Sequence, residues 1–80
     1  RRTWRGLYMA EDYVEIEEWA RSIRRKMANW DFIEKQPPRI KQALKYLVEN
    51  GDLYVASRIA GLTVDEMDEL RIKANIPIAV

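Results

Sequence analysis

Eighty residues, 48% hydrophobic and 34% charged, fit one domain near the small end, where folding buries only about 60% of the unfolded chain's surface. With no Cys and no His, the chain excludes disulfides, thiol chemistry, Cys/His zinc sites and imidazole acid–base catalysis. The formal net charge of +1 is unevenly placed: residues 1–45 hold eleven Lys/Arg against seven Asp/Glu, and residues 46–80 hold three against six. The first half therefore suits a polyanion and the second does not. No apolar run is long enough to cross a bilayer, and no apolar signal core follows Arg1-Arg2-Thr3-Trp4-Arg5, so a soluble cytoplasmic protein is expected. The opening without Met fits a trimmed chain or a fragment. A domain this small is marginal alone, so a protein partner or a homodimer is expected.

In chain order, residues 3–9 mix Thr, aromatics and Leu around Gly6 and read as a short extended arm. From Glu11 the apolar residues Ile16, Trp19, Ala20, Ile23, Met27 and Trp30 recur at three- and four-residue steps, predicting a long amphipathic helix over about 11–29. Acids crowd its start and Arg21, Arg24, Arg25 and Lys26 its end, which complements the helix dipole. Glu17 and Glu18 stand at pairing distance from Arg21. Trp19 and Trp30, on the apolar stripe, are expected in the core. Residues 30–36 read as a last turn or a connector. Pro37-Pro38 stops any helix, with Pro38 suited to the first position of the next. That helix has Ile40, Ala43, Leu44, Leu47 and Val48 as its apolar stripe, and Asn50-Gly51 ends it.

The stretch from Asp52 to Met67 is the most specific. Asp52 caps a helix over 53–60; Gly61 ends it in the left-handed conformation; Thr63 and Glu66 form a capping box for a helix over 64–74. A turn so short forces a steep angle, which is the helix-turn-helix unit. Ala56 and Ala60 are small where helices approach, and Ile59, Leu62, Met67 and Leu70 supply apolar interior. Asn75 is placed for a left-handed cap, after which Ile76-Pro77-Ile78-Ala79-Val80 must run extended. This uncharged tail is expected to fold back on the helices or to pair along an edge strand, with the segment around Leu7 and Tyr8 one candidate mate. Residues 1–80 thus read as a single all-α domain, a small bundle of about four helices with short extended ends. The long helix covers 11–30, and the helix-turn-helix with its tail covers 38–80.

A family resemblance follows from Ala43-Leu44-Lys45-Tyr46-Leu47-Val48-Glu49-Asn50-Gly51, Ile59-Ala60-Gly61-Leu62-Thr63 and Asn75-Ile76-Pro77-Ile78. Over residues 40–78 the chain resembles a small prokaryotic helix-turn-helix family of uncharacterised-protein type, regarded as antitoxin-like and often paired with PIN-domain ribonuclease toxins. The resemblance implies a toxin-like nuclease as partner. The chain departs from the pattern in the short acidic lead Gly51-Asp52-Leu53-Tyr54 and in Asn75, where the family has Gly.

In DNA-binding helix-turn-helix proteins the second helix enters the major groove. Here it opens Val64-Asp65-Glu66-Met67-Asp68-Glu69, four carboxylates that phosphates would repel. The candidate nucleic-acid surface is instead Arg21, Arg24, Arg25 and Lys26 with Arg39, Lys41 and Lys45, set against the plainer reading that these bases complement helix ends. Trp4, Tyr8 and Tyr54, with Ile76 and Ile78 of the tail, are candidates for a protein interface. Acid clusters such as Glu15/Glu18 or Asp65/Glu66/Glu69 read more simply as solvated faces than as metal sites. No catalytic residue, cofactor or metal is expected. The expected function is an antitoxin-like regulatory protein acting through a protein partner, with a DNA-binding transcriptional regulator using the basic half as the alternative.

Overall fold

A computed structural model of the chain describes residues 5–78, with side chains from residue 16 onward. Among these residues the order is α1 (Arg5–Met27), α2 (Trp30–Glu34), α3 (Pro38–Asn50), α4 (Leu53–Ala60) and α5 (Val64–Lys73), with no strand. The central helix is α3: α1, α2 and α4 all pack on it, and α5 packs on α4. The core is built from Ala43, Leu44, Leu47 and Val48 of α3, with Ile33, Ala56, Ala60 and Met67 from its neighbours, closed by Ala74 and Ile76.

The class is the expected all-α bundle, with two local corrections. Residues 5–9 are helical rather than an extended arm. Gly6 falls in the first turn, where backbone N–H groups have no intrahelical acceptor to lose, and Leu7, Met9, Ala10 and Glu11 are strong helix formers. Secondly, residues 30–34 form a short helix of their own. Asn29 turns extended (φ −84°, ψ 90°) and its side-chain oxygen accepts the Phe32 N–H at 3.1 Å, ending α1 and capping α2 together.

The helix-turn-helix forms as the residues dictate. Asp52 Oδ1 accepts the Val55 N–H at 3.1 Å. α4 closes on Gly61 at φ 73°, with the Leu62 N–H reaching Ser57 O and the Gly61 N–H reaching Arg58 O, a Schellman end. Both halves of the Thr63/Glu66 capping box are made, at 3.0 and 3.1 Å. Ala56 and Ala60 are buried, and Leu62 packs against the core from inside the turn. Gly61→Val puts a β-branched residue at positive φ and is expected to cost about 1 kcal/mol or more, read as a lowered urea midpoint at constant slope.

α5 ends in the same way as α4. Asn75 takes φ 57°, and the Ile76 and Asn75 N–H groups return to Arg71 O and Ile72 O. This reversal drives Ile76 into the core, where it is 1% exposed. The tail therefore folds back over α5. Leu7 and Tyr8 belong to α1, so they do not serve as a strand mate within the chain. Ala79 and Val80 lie outside the described residues.

Candidate functional site

Helix α1 meets α3 in an unexpected way. None of its described side chains is buried, and it faces the end of α3 with arginines. A helix C-terminus leaves four carbonyls unpaired, and α1 supplies their donors. Arg21 Nε donates to Glu49 O at 2.7 Å; Arg24 Nε donates to Val48 O at 2.6 Å and its Nη2 to Glu49 O at 3.2 Å. Arg25 forks onto the Glu49 carboxylate at 2.8 and 2.6 Å. Arg21 therefore turns to α3 rather than along its own helix to Glu17 or Glu18.

The left-handed Gly51 makes this cap fit. A Cβ there would stand 3.0 Å from Arg24 Nη1, so the guanidinium occupies room that another residue would fill. The same device recurs one helix later. Arg39 Nε donates to Ile59 O at 2.9 Å, and a Cβ on Gly61 would stand 3.0 Å from Arg39 Nη2. Lys41 and Lys45 both reach the Glu34 carboxylate, at 3.5 and 3.2 Å, and tie α3 to α2. Of the seven candidate nucleic-acid contacts, Arg21, Arg24 and Arg25 form one cluster, Lys41 and Lys45 a second, and Arg39 a third place. Lys26 is exposed on α1. The structure does not gather them into one phosphate-binding surface.

The Arg25 fork holds the Glu49 carboxyl below the usual glutamate range, and the Lys45 hydrogen bond does the same for Glu34. Burial pulls the Arg24 guanidinium down, with the neighbouring Arg21 charge acting in the same direction; the hydrogen bond to Glu49 raises Arg25. A depressed carboxylate adds stability that is present above its unfolded value, about 4.3, and is lost as pH falls through the folded one. Thermal midpoints are therefore expected to fall below about pH 4.3. Glu49→Gln should flatten that acid limb; an unchanged limb would remove Glu49 from it.

Among the interface candidates, Trp4 and the Tyr8 side chain lie outside the description. Tyr54 is 57% exposed, with its hydroxyl accepting from Arg58 Nη1 at 2.8 Å. Ile76 is core, because the left-handed Asn75 turns it inward, and it is removed from the interface set. Ile78 is half-buried against the core.

The apolar surface that sequence reasoning placed inside lies outside. Trp19 is 67% exposed, Ile16 58%, Met27 48% and Trp30 38%. Periodicity identified the stripe but not what it faces: with arginines turned to α3, the apolar side of α1 is left to solvent. Trp30 Nε1 donates to Arg25 O at 2.9 Å, which holds the indole at the helix end rather than in the core. On α5, Val64 and Ile72 are also exposed, beside Asp65, Glu66 and Glu69. Asp68 pairs with Arg71 at 2.7 Å, and Arg71 Nη1 continues to Ile76 O at 3.0 Å. Among the described residues no helix is long and apolar enough to cross a membrane. No protein-family model matches the chain, and neither a curated protein nor a solved structure shows a significant match to it.

Proposed function

We propose that this chain is a small antitoxin-like regulatory protein whose helix-turn-helix acts on a protein partner. The observation that carries the reading is the outer face of α5. It presents Asp65, Glu66 and Glu69 beside exposed Val64 and Ile72, where a DNA reader would present Lys and Arg. A nuclease must hold its nucleic acid in a positively charged channel, and an acidic helix with apolar side chains complements such a channel. That fits the toxin-like nuclease implied by the family resemblance over residues 40–78. The alternative of a DNA-binding regulator has less support, since six of its seven candidate bases are engaged with helix carbonyls or carboxylates.

The test is calorimetric titration of the chain into a purified PIN-domain ribonuclease from the chain's own source, with RNA cleavage followed in parallel. Stoichiometric binding that suppresses cleavage is expected. The double variant Asp65→Asn, Glu69→Gln should weaken it at least tenfold, and added salt should weaken it further. Absence of binding, or binding indifferent to these charges, would contradict the reading.

A further inference from the structure

Helix α1 is held to the bundle by different forces from those that hold α2 to α5 together. From Ile16 to Met27 no side chain is buried, and none of them belongs to the core or packs against it. Among the described residues the core is first entered at Ala28, just past the helix end. Beside the arginines the elements do not interdigitate: an open cleft of about 530 Å³ lies between Ile16, Ala20, Arg21 and Arg24 on one wall and Tyr46 and Gly51 on the other. The polar attachment is the arginine set on Val48 O, Glu49 O and the Glu49 carboxylate. Its outer member, the Arg25–Glu49 fork, stands with side chains 55% and 45% exposed, where water and salt compete for both partners.

A helix in a protein owes most of its stability to the packing of its apolar face, and a fold opens first where buried apolar contacts are fewest. Both conditions meet in α1, whose Ile16, Trp19 and Met27 are exposed. The junction behind it is firm. Asn75 Nδ2 donates to Met27 O at 2.9 Å, and the Asn29 N–H donates to Ala74 O at 2.7 Å, so the chain is anchored to the end of α5 just beyond the arginines. We infer that α1 is a strap: it opens as one unit up to Arg25 while α2 to α5 keep their fold. Opening frees Arg21, Arg24 and Arg25 and bares the last carbonyls of α3. The Thr63/Glu66 box and the core around Met67 are untouched by it, since no described residue of α1 takes part in either. The strap is independent of what α5 binds and goes beyond the regulatory reading.

The test is native-state amide hydrogen exchange on the full chain, resolved by residue and corrected for intrinsic rates. Amides of residues 16–25 are expected to exchange at least about tenfold faster than those of residues 43–48 in the middle of α3. Two kinds of variant then separate a strap from a single cooperative unit. Arg24→Gln weakens only the closed state, from which both openings are measured, so it should speed both sets of amides by the same factor. Thr63→Ala weakens the bundle whether the strap is open or closed. It should speed residues 43–48 by about fivefold, a cap's worth, and leave residues 16–25 unchanged. Met67→Ala, at a fully buried site, should do the same more strongly. Equal protection of the two segments in the parent chain would overturn the proposal. So would a Thr63→Ala variant in which both segments speed up together, or an Arg24→Gln variant in which residues 16–25 do not change.

Discussion

Ile76→Ala is expected to lower the unfolding free energy by about 2–4 kcal/mol, the range for truncating a fully buried Ile where the site cannot collapse. Ile76 is 1% exposed and sits where the chain reverses off α5. Its position is fixed from three sides: its own N–H returns to Arg71 O at 3.1 Å, its carbonyl accepts from Arg71 Nη1 at 3.0 Å, and the adjacent Asn75 ties to α1. Asn75 Nδ2 donates to Met27 O at 2.9 Å, and the Asn29 N–H donates to Ala74 O at 2.7 Å, so the ends of α1 and α5 cap one another. Loss at Ile76 is therefore felt across the domain rather than at a frayed end. Stability that survives Ile76→Ala, measured by urea unfolding at constant slope, would show that the tail packs elsewhere.

Arg24→Ala is the second large effect, expected at about 1.5–3 kcal/mol, the scale of hydrogen bonds in which one partner is charged. It strips donors from Val48 O and Glu49 O at the end of the central helix, where the carbonyls have no intrahelical partners. Arg24→Lys should recover only part of the loss, because an ammonium lacks the planar fork that reaches two carbonyls at once. Full recovery by Lys would reduce the contact to a simple charge at the helix end.

These two effects mark where sequence reading succeeds and where it stops. The caps at Asp52 and Thr63 and the left-handed residues Gly61 and Asn75 were legible because each motif is closed within four or five residues. The tail's burial was legible in outline, since an uncharged segment following Asn75 and preceding a proline's constraint must leave the helix. The setting of α1 was not. Its periodicity announces an amphipathic helix, yet which side meets α3 depends on carbonyls 24–28 residues away along the chain. The arginines satisfy those carbonyls, and the apolar stripe is turned outward as the consequence. For the same reason the bases that looked like a nucleic-acid surface are distributed among three structural contacts, and Trp19 and Trp30 lie outside the core. The exposed pair Val64 and Ile72 was missed because an eight-residue separation on a mostly acidic helix gives no stripe to notice.

The most direct measurement is a titration of a short DNA duplex, at about 0.15 M salt, with the chain and with its Arg21→Gln, Arg24→Gln, Arg25→Gln variant, alongside the unfolding of both. The structure predicts no association tighter than the non-specific range of about 10⁻⁴–10⁻⁶ M for either protein, and a variant that is markedly less stable. Tight binding by the parent chain with a steep salt slope, lost in a variant whose unfolding is unchanged, would contradict it.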